Sequence, residues 1–282
     1  MEDRVTARPF LKWAGGKTQL LNRLSRLLPD QIEGTYFEPF LGSGALFFHL
    51  WSTGRLRGTA VLSDANLQLI DAWNGVKEDV VGVISELERH RRAYRKSAKQ
   101  HYQRVRSSHP KDLVAKAARF IFLNKTCYNG LWRVNRNGEF NVPIGTYKNP
   151  SIFDPENLLH CSQALKDARI MATDYRTALD AARAKGRVVY LDPPYYPHSS
   201  TANFTAYTAN GFSAEDQVRL ALTCAELSRS GARILLSNHD NPKLVSLYRL
   251  LGFHVTGATV SRYISCEPGS RGSIRELLVR NH

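Results

Sequence analysis

The stretch Thr35-Tyr36-Phe37-Glu38-Pro39-Phe40-Leu41-Gly42-Ser43-Gly44, followed by the apolar run ALFFHLWS at 45–52, decides the fold. Residues 35–40 read as a short buried strand, Gly42 and Gly44 mark a tight turn, and 45–52 reads as an apolar helix. A second strand, TAVLS at 59–63, ends at Asp64. Strand, glycine turn, helix, strand and acid in that order open an α/β sheet. The turn fails as a dinucleotide fingerprint, because Phe47 stands where GxGxxG has its third glycine. It still lets a ligand approach the backbone at Gly42 and Gly44, beside Phe40. Asp64 lies about twenty residues further on and is placed to bind ribose hydroxyls. The plain alternative is a helix cap ahead of Asn66. A nucleoside without a pyrophosphate suits this arrangement.

The α/β rhythm returns after about residue 149. A strand is expected at 168–172, a helix at 177–185, and a strand buried on both faces at 187–191 (RVVYL). A polar loop runs from 193 to 212, and Ser213 is positioned to cap a helix over 214–230. A strand at 233–237, a helix around 242–251 and strands at 253–263 and 274–280 complete the pattern, the last two joined by a Gly/Ser/Pro loop. The expected architecture is α/β, a mostly parallel sheet formed by 1–72 and 149–282. Residues 73–148 are spliced into it as basic helices, an apolar-faced helix at 113–124, and a hairpin. In that hairpin, 131–135 and 139–143 flank Asn135-Arg136-Asn137-Gly138, whose Asn-Gly pair is a strong turn signal. Period-two alternation puts Leu131, Arg133 and Asn135 on one face and Trp132 and Val134 on the other.

The chain has 282 residues, with 39 Lys+Arg against 25 Asp+Glu, a formal charge of +14. A hydrophobic share of 43% is enough for a real core and excludes global disorder. No window approaches the length of a membrane span, and the best uncharged stretch, 39–54, is interrupted by glycines, serines and a histidine. The opening MEDRVTARPFLKW lacks the apolar centre of a secretory signal. Cys127, Cys161, Cys224 and Cys266 are 34, 63 and 42 residues apart, so neither a metal-binding pair nor a disulfide framework is expected. A cytoplasmic protein with no metal and no obligate protein partner is the expectation. Between Arg89 and Lys116 there are ten Lys/Arg and one acid, Asp112, which supplies +9 of the +14. Unpaired bases interleaved with His90, Tyr94, His101, Tyr102 and His109 resemble the footprint of a phosphate backbone more than a solvated helix face. Arg91, Arg92, Arg95 and Lys96 are the leading candidates for contact with nucleic acid, although polyanions other than DNA fit the charge as well.

The chemistry concentrates in Asp192-Pro193-Pro194-Tyr195, directly after RVVYL. Open α/β sheets bind ligands beyond the carboxyl ends of their strands. The two prolines stiffen the backbone and remove two amide donors, leaving a carboxylate, free carbonyls and an aromatic ring. Asp192 and the Pro193 carbonyl can each accept one N–H of an exocyclic amine while Tyr195 stacks on a flat base. The bland reading is a proline-stiffened turn. Near the start, Lys12-Trp13-Ala14-Gly15-Gly16-Lys17-Thr18 invites a P-loop reading, but Leu11 stands where the first glycine belongs. What survives is an indole and a lysine able to pack on a ring and pair with a carboxylate.

Together these elements resemble the Dam family of DNA N6-adenine methyltransferases. The likeness spans nearly the whole chain: FLKWAGGK, FEPFLGSG, the strand ending in Asp64, NKTCYNGLWRVNRNGEFNVPIGTYKNP, DPPY, NFTAY and LLSNHD. It implies a Rossmann-like methyltransferase sheet with an inserted helical and β-hairpin DNA-recognition domain. It also implies S-adenosyl-L-methionine as cofactor, double-stranded DNA as partner, and methylation of adenine within GATC. By the same likeness Trp13, Lys17, Asp64 and Asp192 correspond to cofactor-binding residues, and Asp192, Pro193 and Tyr195 to the catalytic set. Arg133 corresponds to the reader of a guanine. Tyr128 and Asn129 fall beside the target base, Leu131 and Pro143 touch bases, and Lys12 and Tyr147 make outer contacts. Trp132, Val134 and Tyr196 depart from the family pattern. The rival enzymatic readings are a methyltransferase for RNA or for cytosine N4. The rival from another class is a DNA-binding regulator that has lost catalysis, against which the intact DPPY and Asp64 argue.

Overall fold

The computed structural model describes residues 5–13, 15, 17–195, 212–261 and 273–282. Among them a 3-10 turn at Thr18–Leu20 precedes α1 (Leu21–Arg26), β1 (Tyr36–Glu38), α2 (Ala45–Ser52), β2 (Ala60–Asp64) and α3 (Leu67–Glu78). Three helices follow, α4 (Val80–Lys96), α5 (Ala98–Ser107) and α6 (Leu113–Thr126), then a 3-10 turn at Tyr128–Gly130, an extended arm and α7 (Pro155–Leu165). The alternation resumes with β3 (Arg169–Ala172), α8 (Tyr175–Asp180), β4 (Val188–Leu191) and α9 (Ala214–Arg229). It ends with β5 (Arg233–His239), α10 (Pro242–Leu250), β6 (His254–Ser261) and β7 (Ser273–Arg280).

The strands form one sheet in the order β3-β2-β1-β4-β5-β7-β6. The first five pair in parallel, and β7 runs antiparallel to both β5 and β6. The central strands are buried on both faces because period-two alternation sends successive side chains to opposite layers. Tyr36, Val188, Tyr190 and Leu235 enter one hydrophobic cluster, and Phe37, Val189, Leu191, Ile234 and Leu236 enter the other. The chain leaves β1 toward β2 on one side and returns as β4 on the other. In sheets of this kind such a reversal marks the ligand crevice, here beyond the carboxyl ends of β1 and β4.

The first of the two clusters does not stop at the inserted helices. It holds Leu46 of α2, Trp73 of α3, Phe120 of α6, and Trp132 and Phe140 of the arm. Side-chain caps set the helix starts: Asn66 accepts from Leu69 N, Asp112 from Ala115 N, and Ser213 forms a capping box with Asp216. No helix among the described residues is long and apolar enough to cross a membrane.

The structure departs from the sequence expectations in three places. The hairpin keeps its turn, with Gly138 N bonded to the Asn135 carbonyl and Asn135 N to the Glu139 carbonyl, but its arms carry only isolated bridges, Val134 to Phe140 and Cys127 to Ile144. Trp132 and Phe140 pack inward against α6, and that packing takes the place of a ladder. The helix expected at 177–185 begins earlier, at Tyr175, because Asp174 caps it, and ends at Asp180. A helix not anticipated, α7, starts at Pro155 under an Asp154 cap. The loop residues 196–211, with Tyr196 and NFTAY, lie outside the described residues, as do Ala14, Gly16, Cys266 and the connection at 262–272.

Candidate active site

The turn after β4 places Asp192 at the crevice. One oxygen, Oδ1, accepts from Lys17 Nζ at 2.8 Å and from Ser237 Oγ on β5 at 3.0 Å. Ser237 is itself hydrogen-bonded to the Tyr190 hydroxyl at 2.9 Å, so the carboxylate is oriented from within the sheet. The neighbouring carbonyls are also sorted. Gln217 of α9 donates Nε2 to the Pro194 carbonyl at 2.8 Å, and Asn238 of β5 fixes Gln217 by donating to its Oε1 at 3.0 Å. Gln217 and Asn238 are both fully buried, so this clamp is part of the interior. Asp192 Oδ2 and the Pro193 carbonyl are the further acceptors that this turn offers.

Tyr195 donates its hydroxyl to Glu276 Oε1 at 2.5 Å, lies beside His239 with ring centroids 5.7 Å apart, and has Lys17 Nζ 5.3 Å from its ring. Glu276, in the middle of β7, is 3% exposed. Its Oε2 makes no hydrogen bond and sits 3.8 Å from Lys17 Nζ. Burial pushes the Glu276 pKa up, against the pull of Lys17 and the Tyr195 hydroxyl. Burial works against the Lys17 ammonium, yet Asp192, Tyr195 and Glu276 around it outweigh that and raise its pKa. Glu38, at the end of β1, accepts from the Tyr36 hydroxyl at 2.7 Å; burial pushes its pKa to about 8 despite that bond.

On the other side of the crevice Asp64 braces the glycine turn. Its Oδ2 accepts from Gly42 N at 3.1 Å and its Oδ1 from Asn66 N at 3.0 Å. Gly42 and Gly44 both have positive φ, 47° and 60°. The close approaches they permit are made by indoles: a Cβ on Gly42 would lie 2.6 Å from Trp13, and one on Gly44 would lie 2.4 Å from Trp73. Phe40 turns away from this group and stacks on Tyr175 at 5.3 Å, with Phe212 on its edge.

The arm is anchored from beneath. Trp132 stacks on Phe120 with centroids 3.7 Å apart, and the Tyr102 hydroxyl of α5 donates to the Val142 carbonyl at 2.9 Å. Asn124, fully buried on α6, accepts from Lys12 N at 2.8 Å and donates to the carbonyls of Lys12 and Gly130 at 2.7 and 3.2 Å. The ammonium of Lys12 lies 4.3 Å from the Tyr147 ring. Arg133 is exposed and donates Nε to Asn141 Oδ1 at 2.8 Å, which fixes its stem and leaves the far edge of the guanidinium outward. Tyr128 is 44% exposed, Asn129 takes φ 52°, Leu131 packs partly on the core, and the Pro143 carbonyl accepts from Tyr128 N at 2.9 Å.

The basic stretch is less uniformly unpaired than its composition suggests. Arg89 pairs with Glu86 at 2.8 Å, Arg91 and Arg92 with Glu88, and Lys116 with Asp71 at 3.1 Å. The acids lie one helical turn before the window or on α3, outside the counted segment. Arg91 also covers the Phe153 ring at 4.9 Å. Arg95, Lys96, Lys99 and Lys111 are exposed, with no acid within ion-pair distance among the described residues.

A sequence model of the D12 class N6 adenine-specific DNA methyltransferase family matches residues 13–261. The chain belongs to that family. It is 41% identical to the type II methyltransferase M.MjaIII of Methanocaldococcus jannaschii, over 99% of this chain and 100% of that one. It is 38% identical to the type II methyltransferase M1.LlaDCHI of Lactococcus lactis subsp. cremoris, over 100% and 98% of the two chains. It is also 38% identical to the DNA adenine methylase of Escherichia coli strain K12, over 96% and 94%.

Asp192 and Tyr195 both lie beside Lys17, and Trp13, Gly42 and Asp64 form a second group at the turn. Phe40 joins neither. Four residues of the site were not anticipated: Glu38, Gln217, Ser237 and Glu276. Glu38 and Glu276 left a readable signal, each the one acid in its strand, in TYFEPF and SIRELLVR.

Proposed function

We propose that the chain transfers a methyl group from S-adenosyl-L-methionine to N6 of an adenine flipped out of duplex DNA, within GATC. The observation that supports this reading is the turn at the end of β4, where Lys17 and Ser237 hold Asp192 Oδ1 and Gln217 holds the Pro194 carbonyl, with Asp192 Oδ2 and the Pro193 carbonyl as its further acceptors. Two acceptors side by side match the two N–H bonds of an exocyclic amine. Holding both N–H bonds draws the amine lone pair out of conjugation with the ring and makes the nitrogen nucleophilic. Tyr195 offers its ring to stack on the base, and the exposed Tyr128 is suited to fill the space the base leaves. Extrusion costs a few kcal/mol, which such stacking offsets.

The residues also suit the cofactor. Asp192 and Glu276 both face the Lys17 ammonium, and Asp64 adds a third carboxylate at the glycine turn, an excess of acid among the described residues that favours a cationic ligand. The buried Glu276 Oε2 lacks a hydrogen-bond partner. S-adenosyl-L-methionine, when bound, supplies an electrophilic methyl on a sulfonium. Trp13, Lys17, Gly42, Gly44, Asp64 and Asp192 would hold it, with Asp64 toward the ribose. Positioning and charge complementarity then carry the reaction.

Residues 73–148 serve as the recognition unit in this reading. Arg133 reads a guanine through O6 and N7, the commonest bidentate contact in the major groove. Leu131 and Pro143 touch bases, while Lys12, Tyr147 and the exposed Arg92, Arg95 and Lys96 meet phosphates. The test is incubation of duplex DNA with labelled S-adenosyl-L-methionine, followed by mapping of the modified base. Label on adenine N6 within GATC, lost in Asp192→Asn, is the expected result. Label on cytosine, or on RNA in preference to DNA, would refute the reading.

A further inference from the structure

We propose that Glu276 is a positioning residue of the active site: through the Tyr195 hydroxyl it sets the plane of the ring that meets the target base, and through its second oxygen it shares the Lys17 ammonium with Asp192. The proposal rests on the function proposed above and deepens it.

Tyr195 closes the DPPY turn, and the backbone of that turn does not by itself fix a side chain with two rotatable bonds. The ring is fixed instead by what its far end touches, and that is Glu276 Oε1 at 2.5 Å. A phenol donating to a carboxylate in a buried site is a strong, directional contact. Glu276 is presented by the central part of β7, which is hydrogen-bonded to β5 on one side and β6 on the other, so the anchor is rigid.

A neutral acceptor would still take the hydroxyl, though more weakly, so the charge needs a further explanation. It lies in Lys17, 2.8 Å from Asp192 Oδ1 and 3.8 Å from Glu276 Oε2. Asp192 must keep electron density for the amine of the base, and an ammonium resting wholly on it would reduce its strength as an acceptor. A second carboxylate divides that attraction. The unpaired Glu276 Oε2 is the side on which Lys17 can be received.

The experiment uses the full chain and a GATC duplex carrying 2-aminopurine at the target adenine, whose fluorescence reports extrusion and stacking. Single-turnover methylation of the unmodified duplex is measured in parallel. Tyr195→Phe and Glu276→Ala delete the same bond. Each should change the 2-aminopurine signal alike and slow methylation on the order of tenfold or more, and the double variant should be no worse than the poorer single. Additive effects would overturn the tyrosine half of the proposal. Glu276→Gln keeps an acceptor for the hydroxyl, so the 2-aminopurine signal should stay near wild type while the methylation rate falls and KM for DNA holds. An unchanged rate in Glu276→Gln would overturn the Lys17 half. Should Glu276→Ala fail to fold, the near-isosteric glutamine variant and Tyr195→Phe decide the matter: equal 2-aminopurine signals in wild type and Tyr195→Phe overturn it. A wild-type chain that neither extrudes the base nor methylates it would instead defeat the proposed function.

Discussion

Replacing Trp132 with alanine should uncouple DNA recognition from the rest of the chain. The indole is 4% exposed, 3.7 Å from Phe120 and 4.5 Å from Phe140 in centroid distance. Truncating a buried aromatic side chain costs about 3–5 kcal/mol. The other ties between the arm and the helices include the bonds from Tyr102 to Val142 and from Asn124 to Gly130, each worth about 1 kcal/mol net. The loss exceeds what those bonds contribute, so the arm should detach locally while the sheet stays folded. Apparent DNA affinity falls in proportion to the docked fraction, so a drop of at least about tenfold is expected. Trp132→Phe keeps an aromatic ring at the stack and removes an indole nitrogen that has no partner, so it should cost no more than about 1.5 kcal/mol. Fluorescence anisotropy with GATC and scrambled duplexes measures affinity and preference, and hydrogen exchange at the Gly145 amide, bonded to the Thr126 carbonyl of α6 at 2.8 Å, reports docking. Wild-type affinity and wild-type protection in Trp132→Ala would refute the reasoning.

Arg133→Ala should cost roughly 1–3 kcal/mol of discrimination at one guanine, read as a flatter ranking of single-base variants of the site with cofactor binding intact. Glu38 has its pKa raised from 4.5 to about 8, so between those values the folded chain binds more protons than the unfolded one, and stability declines as pH rises through that window. Glu38→Gln should remove that slope, on the order of 4 kcal/mol by pH 8, measured by denaturant titration at pH 5 and 8. His90, between α4 and α5, is held down to about 4 by burial and by His101, Arg104 and Arg89. Here the unfolded chain binds the extra proton, so stability is lost as pH falls from 6.5 toward 4. His90→Phe should flatten that acid limb of the thermal unfolding profile.

Much of the sheet was legible because its signals are local. RVVYL is apolar on both faces and became a strand buried on both sides, and Ser213 capped its helix as read. The antiparallel pairing of β7 was not legible, since direction depends on a partner strand about forty residues earlier in the chain. That pairing is what brings Glu276 to Tyr195. In the arm, alternation correctly separated exposed Arg133 from buried Trp132, but it could not reveal that packing on Phe120 would replace a ladder. The basic stretch misled for a simple reason. A window beginning at Arg89 omits Glu86 and Glu88, which lie one turn earlier and neutralise its first bases.

The hydrophobic cluster that joins α2 and α3 to α6 and Trp132 has an evolutionary consequence. Interiors packed this closely tolerate little change of shape. A recognition segment transplanted from a distant relative would bring ill-fitting contours to an interior it shares with the sheet. Under the proposed function, new target sequences are thus more accessible by swapping outward-facing arm side chains, Arg133 first among them, than by exchanging the segment as a cassette.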